Sequence, residues 1–166
     1  MPKNRGKDDW QIGSSVVPFR VQNLFCVEGL TCVVTGGGSG IGSMIAAGLV
    51  ANGARVYISS RKDLSALAKH LNQRGPGECI CFGRLDVSKE ESIETFARLL
   101  RAAEPHGIDV LVNNAGTNWS EPIEEHSAKG WDKVYDVNTR GVFLTTKHLL
   151  PLMSSEKRRR RAVEEK

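Results

Sequence analysis

The stretch at residues 35–42, TGGGSGIG, decides how this sequence folds. Residues 31–34 directly before it are apolar or β-branched and favour a strand that is buried on both faces. Residues 41–52 show the apolar spacing of a helix. A glycine-rich turn between a strand and a helix N-terminus is typical of a nucleotide-phosphate loop. The helix end offers unpaired N–H groups and partial positive charge, and glycines leave room for the anion.

The spacing within this loop is Gly36-x-x-x-Gly40-x-Gly42, which differs from the usual G-x-G-x-x-G dinucleotide fingerprint. Taken alone, such a cluster could equally be a tight turn, and it is the flanking strand and helix that favour nucleotide binding. No Gly-Lys-Ser/Thr follows, so a P-loop nucleotidase is disfavoured.

The rest of the chain predicts a Rossmann-like α/β fold, a doubly wound parallel sheet. Strands are predicted at residues 31–35, 54–59, 79–85 and 109–112, and helices at 41–52, 64–71, 88–100 and 127–150. The third helix begins with a capping-box pattern, in which Ser88 caps the helix and Glu91 lies three residues later. Right-handed crossovers predict the strand order 3-2-1-4. We expect the fold to be truncated after its fourth strand and helix.

The end of the second predicted strand indicates which dinucleotide fits. An acidic residue there would bind the ribose 2′-hydroxyl of NAD. This chain has Ser59, Ser60 and Arg61 instead, and hydroxyls and a guanidinium favour a 2′-phosphate. NADP is therefore expected, with NAD the less favoured cofactor. The alternative for Arg61 is a solvated cation, although a helix N-terminus disfavours cations.

Composition indicates an ordinary soluble protein. The 166 residues are 40% hydrophobic and 25% charged, and no run of 18 apolar residues predicts a membrane span. The polar N-terminus does not resemble a signal peptide, so a cytoplasmic location is expected. The four cysteines, Cys26, Cys32, Cys79 and Cys81, lack the spacing of zinc ligands and are interpreted as reduced thiols, with no metal site.

The two ends of the chain differ from its middle. Residues 1–23 show no period and are predicted to be an N-terminal arm. Residues 154–166 hold six cations and three glutamates, which make up much of the net charge of +4, and are predicted to be a disordered basic tail. A nucleic-acid role for residues 157–161 stays open, but a charge confined to a tail gives little support to nucleic acid as a partner.

Four motifs in order resemble the short-chain dehydrogenase/reductase family. They are residues 35–42, Leu85-Asp86-Val87, Asn113-Asn114-Ala115-Gly116 and Val137-Asn138. The resemblance covers residues 24–153 and is strongest to members like the 3-oxoacyl-carrier-protein reductases. It implies an NADP-binding domain, incomplete here, that transfers hydride between NADP(H) and a carbonyl or alcohol substrate. It also implies a homo-oligomer for full-length members.

The resemblance also implies roles for individual residues. The pyrophosphate would be lined by Gly36, Ser39, Gly40, Ile41 and Gly42. Asp86 and Val87 would contact adenine, Asn114 and Ala115 would lie along the ribose, and Asn138 would hold a water in a catalytic proton relay. Each has a simpler alternative: Asp86 could begin a turn before Ser88, the Asn-Asn-Ala-Gly segment could merely end a strand, and Asn138 could face solvent.

The family's catalytic serine and Tyr-x-x-x-Lys pair have no counterpart in this sequence. Tyr57 is followed four positions later by Arg61, and Tyr135 by Thr139. We therefore expect the chain to be inactive and unstable or self-associating when alone, and a non-catalytic nucleotide-binding fragment is the alternative function.

Overall fold

The structure is a computed structural model that describes residues 24–153. The predicted arm at 1–23 and basic tail at 154–166 lie outside the described residues. Within the described range, no helix combines the length and the hydropathy that crossing a membrane requires.

Four parallel strands form a single sheet: β1 (Thr31–Thr35), β2 (Arg55–Ser60), β3 (Glu78–Arg84) and β4 (Val110–Val112). Their order is β3-β2-β1-β4, which confirms the predicted topology. β1 is buried at every position and lies between β2 and β4, so its run of apolar and β-branched residues contacts helices on both faces of the sheet.

Helices alternate with these strands as predicted. They are α1 (Gly40–Ala51), α2 (Ser65–Leu71), α3 (Glu90–Ala103), α4 (Ala128–Tyr135) and α5 (Gly141–Leu149). A π-helical turn, Asp136–Arg140, joins α4 to α5, and a 3-10 turn, Leu150–Met153, follows α5. The long helix predicted at 127–150 is therefore one rod with an interruption close to Asn138.

Two hydrophobic layers cover the sheet, one on each face. Cys32 and Val34 of β1 pack with α1 and α2, whereas Val33 packs with α3 and α5. This alternation follows from the two-residue period of a strand. Burying each of these valines stabilises the fold by roughly 1.5–3 kcal/mol.

The buried face of α1 was not predicted, and the predicted capping box of α3 is wrong. The row of α1 that is buried is Gly42, Ala46 and Val50, and Ile41 is 70% exposed. Small residues lie closest to the sheet because the helix packs tightly against it.

The capping box also does not form. Lys89 is the N-cap of α3 and makes no side-chain cap bond. Because α3 begins one residue later than predicted, Ser88 does not occupy the cap position, and its hydroxyl donates to Asp86 Oδ1 at 2.7 Å.

The predicted strand residue Tyr57 is buried, and its hydroxyl donates to Glu104 Oε1 at 2.7 Å. Arg55 Nε lies 3.0 Å from the same carboxylate oxygen. Burial, together with the Glu104 carboxylate, raises the pKa of Tyr57 to about 12. Tyr57 therefore joins β2 to the end of α3, well inside the fold.

Candidate cofactor site

A cleft of about 990 Å³ opens where the carboxyl ends of β1, β2 and β4 meet α1 and α4. In a sheet of order 3-2-1-4, β2 and β3 lie on one side of β1 and β4 lies on the other, so the order in which strands are added reverses between β1 and β4. Ligands of such parallel sheets bind in the crevice at that point. Nine of the predicted site residues line the cleft: Gly36, Ser39, Ile41, Gly42, Arg61, Asp86, Val87, Asn114 and Ala115. Gly40 and Asn138 are not among its lining residues.

The glycine loop is shaped largely by the protein itself. A Cβ at Gly42 would overlap the Asn114 side chain and the Gly36 carbonyl oxygen, and one at Gly36 would lie 2.9 Å from Ala115 Cα. Gly36 and Gly40 also have positive φ angles of 66° and 52°. Only at Gly40 among these three is the space beside the Cα open. Gly36 and Gly42, predicted to be glycine so that a phosphate can approach, are also required by close packing within the protein.

Helix α1 begins at this loop with its N-terminus free of side-chain caps. Its N-cap, Ser39, has extended backbone angles and makes no capping bond with its hydroxyl. The first N–H groups of the helix, and the partial positive charge there, are thus directed toward the cleft. This arrangement suits an anion.

The buried hydroxyl of Thr35 joins the ends of β1 and β4. Its Oγ1 accepts from the backbone N–H groups of Asn114 and Ala115, both at 3.1 Å, and donates to Val112 O at 3.3 Å. The amide of Asn114 in turn donates to the carbonyl oxygens of Thr35 and Gly36 at 3.0 and 3.2 Å. Asn114 therefore fixes the glycine loop against β4. This function of Thr35 was not predicted from its place in the glycine motif.

The turn after β2 supplies two cations. Arg61 and Lys62 both line the cleft, and both are exposed. Ser60 Oγ accepts from the N–H of Lys62 at 3.0 Å and donates to its carbonyl at 3.1 Å, which orders the turn. Ser59, one of the hydroxyls expected to face a phosphate, is fully buried and does not line the cleft. Lys62, which was not predicted to belong to the site, lines the cleft beside Arg61.

Asp86, which was predicted to contact adenine, lines the cleft and also begins a turn. Its Oδ1 accepts from the N–H and the hydroxyl of Ser88, at 3.1 and 2.7 Å. The turn predicted as an alternative is thus present, and Asp86 still lines the cleft beside Val87. Its backbone N–H donates to Ser92 Oγ at 3.0 Å, which connects the turn to α3.

Helix α4 forms the opposite wall. Lys129, Asp132, Lys133 and Asp136 line the cleft at spacings of three and four residues, so they share one helix face. These four residues were not predicted to belong to the site, although charged residues repeating at helical spacing could have indicated it.

Asn138, in the π-helical turn, pairs with the backbone of Thr117. Its amide nitrogen donates to Thr117 O and its oxygen accepts from Thr117 N–H, both at 2.9 Å. The side chain is exposed, as in the simpler alternative, and it also hydrogen-bonds to the backbone of Thr117. Asn138 fixes the segment after β4 to the helix that follows it.

A separate polar cluster lies between α3 and α5. The side-chain ligand atoms of Glu90, Glu94 and His148 lie within 4.8 Å of one another. Glu90 Oε1 also lies 3.1 Å from Lys147 Nζ, and hydrogen bonds from His148 and then Lys147 lower the pKa of Glu90. The nearby lysine and histidine make this an ion-pair cluster that joins the two helices.

Comparison with known proteins identifies the family. The family model described as "short chain dehydrogenase" matches residues 30–163. The chain belongs to this family. Its members include a rhamnolipids biosynthesis 3-oxoacyl-[acyl-carrier-protein] reductase of Pseudomonas aeruginosa, 39% identical over 130 residues. That match covers 78% of this chain and 50% of the relative. A D-beta-hydroxybutyrate dehydrogenase of Cupriavidus necator is 35% identical, with the same coverage.

Solved structures of short-chain dehydrogenases share the fold. A Pseudomonas aeruginosa RhlG/NADP active-site complex superposes with a TM-score of 0.72 at 37% identity and covers 80% of this chain and 52% of that one. An NADH-dependent reductase A1-R' complexed with NAD gives 0.69 at 31% identity and covers 76% and 52%. The chain thus spans about half the length of the relatives it matches.

Proposed function

We propose that this chain supplies the cofactor-binding part of an NADP-dependent oxidoreductase that acts on a carbonyl or alcohol substrate. The observation that supports it best is the combination of an uncapped α1 N-terminus with Arg61 and Lys62 in one cleft. The helix end suits a pyrophosphate, and the two cations suit a further phosphate on the ribose. Relatives solved with NADP support the same cofactor.

The proposed contacts follow the positions in the cleft. The N–H groups from Ser39 to Gly42 would bind the pyrophosphate, with Gly36 allowing the loop to close and Ile41 covering it. Asp86 would accept from the adenine amino group through Oδ2, because Oδ1 is engaged by Ser88. Val87 would contact the ring, and Asn114 and Ala115 would lie along the nicotinamide ribose.

The bound cofactor would supply the hydride, and the protein must supply a proton donor. Asn138 is proposed to help hold a water for that proton transfer, from its place beside Gly116 at the rim of the cleft. Neither tyrosine of this chain fits the donor role. Tyr57 is buried against Glu104, and Tyr135 lies on α4 with no lysine four residues later. This observation favours, for the chain alone, the second function: a nucleotide-binding fragment without catalysis.

A cytoplasmic location remains part of the proposal, on the ground that the cysteine spacing suits reduced thiols. Self-association is likewise proposed only for the full-length protein.

Calorimetric titration of the 166-residue chain with NADPH and with NADH tests the cofactor. Arg61→Ala should weaken NADPH binding about tenfold, since a hydrogen bond to a charged group contributes roughly 1.5–3 kcal/mol, and should change NADH binding less than about twofold. Arg98→Ala is the matched control because Arg98 is an exposed arginine on α3, outside the cleft. Failure of the unaltered chain to bind NADPH at millimolar concentration would refute the proposal.

A further inference from the structure

The turn between β2 and α2 contains one acid among its cations. Residues 60, 61, 62 and 64 line the cleft, and Asp63 does not. A carboxylate two residues from Arg61 would oppose a bound phosphate if it turned toward the cleft. Its actual position therefore bears on how well this turn binds one.

Ser65 and Cys81 hold the Asp63 carboxylate in place. Oδ1 accepts from the N–H of Ser65 at 3.1 Å and from its hydroxyl at 2.6 Å. Cys81 Sγ lies 3.6 Å from the same oxygen. The hydrogen bonds from Ser65 are the main cause of the lowered pKa of Asp63, so the group is charged at neutral pH.

The same contacts continue to the glycine loop. Cys81 Sγ accepts from the N–H of Leu64 at 3.4 Å. Leu64 is buried, and a Cβ at Gly38 would overlap its Cδ2. The carboxylate is thus fixed on the β3 side of the turn, while the neighbouring residues 61, 62 and 64 face the cleft.

We propose that Asp63 is a specificity-determining residue, and that Ser65 and Cys81 position it so that the turn accepts a phosphate monoester on the ribose. Tethered, the carboxylate leaves Arg61 and Lys62 to attract the phosphate. Released, it samples positions nearer the cleft and repels the phosphate, because the energy between charges varies inversely with distance. The inference rests on the proposed NADP site and deepens it.

A double-mutant cycle on the 166-residue chain tests this, with NADP⁺ and NAD⁺ as probes in calorimetry. Ser65→Ala removes the shortest of the three contacts on the carboxylate and so loosens it. It should raise the Kd for NADP⁺ by up to about two- to fivefold, the range expected for an exposed charge pair, with little change for NAD⁺. Asp63→Asn should lower the Kd for NADP⁺ by a smaller factor, because the tethered carboxylate already lies outside the cleft. In the Asp63→Asn background, Ser65→Ala should have no further effect. The effect of Ser65→Ala should also shrink at high salt.

Equal changes for NADP⁺ and NAD⁺ would overturn the inference, because a loosened turn would affect both. An effect of Ser65→Ala that persists in the Asp63→Asn background would do the same. If Ser65→Ala does not fold, Asp63→Asn alone tests the inference, because Asp63 is exposed and its replacement leaves the core intact. An unchanged NADP⁺ affinity in Asp63→Asn counts against the inference. Binding of neither dinucleotide to the unaltered chain would refute the proposed function and this inference together.

Discussion

Replacing Thr35 by valine should damage both the fold and the cofactor cleft. Valine has nearly the same shape, so the change removes one acceptor and one donor without opening a cavity. The N–H of Ala115 loses its acceptor at 3.1 Å, whereas the N–H of Asn114 loses one of two acceptors and keeps Val112 O at 3.0 Å. A buried donor left without a partner costs about 1–3 kcal/mol. Both residues are half-buried beside the cleft, where water partly replaces the lost acceptor. We therefore expect a loss of about 2 kcal/mol in all, most of it from the unpaired Ala115 N–H and the rest from the weakened contacts of Asn114 and Val112.

Thr35→Ser is the matched control. It keeps the hydroxyl and removes one buried methyl group, which costs about 1 kcal/mol. The free energy of unfolding, from urea titrations followed by tryptophan fluorescence, should fall more for valine than for serine. NADP⁺ affinity should fall for valine alone, because Ala115, which lines the cleft, is then no longer bonded to the end of β1. If Thr35→Val were as stable as Thr35→Ser and bound NADP⁺ equally well, the bridging role of this hydroxyl would be wrong.

Three other predictions concern single features. Gly42→Ala should lower the free energy of unfolding by about 1–3 kcal/mol and weaken NADP⁺ binding, because its Cβ would overlap Asn114. Gly48→Ala, in open space on the same helix, should stabilise by about 0.5–1 kcal/mol; equal effects of both in urea titrations would contradict this. The raised pKa of Tyr57, about 12, means that its contribution to stability is complete below pH 10 and is lost as the pH approaches 12. Between pH 10 and pH 12 the melting temperature should therefore fall less for Tyr57→Phe than for the unaltered chain. Parallel curves of melting temperature against pH for the two proteins would argue against this role of Tyr57. Ser127→Ala should cost about 1 kcal/mol, since Ser127 Oγ accepts from Gly130 N–H at the start of α4; an unchanged denaturation midpoint would refute that cap.

Strand order and the position of the cleft could be predicted because they depend on patterns that are local in the chain. The buried run of β1 and the glycines after it fix a strand, a turn and a helix start. The right-handed crossover rule then supplies the order of the sheet. Most of the predicted cofactor residues line the cleft for the same reason, since they follow the ends of neighbouring strands.

Details that depend on contacts between distant segments could not be predicted. Ser88 could cap α3 or bind Asp86, and the outcome depends on where the helix begins relative to the turn at Asp86. Gly42 lies close to Asn114 only after β4 has joined β1, so its packing role has no local signal. The position of Asp63 depends on Cys81, which belongs to a separate strand.

The π-helical turn allows one continuous rod to serve two environments. The N–H of Gly141 donates to Asp136 O, five residues back, which adds one residue to the turn and rotates everything after it by roughly 100° about the axis. Before the turn the rod presents Lys129 and Lys133 to the cleft, and after it Leu144 and Leu149 to the apolar layer. Deleting a single residue here would return the rod to regular α-helical phase and turn one of these two faces away from its environment. This segment should therefore tolerate substitutions far better than it tolerates insertions or deletions.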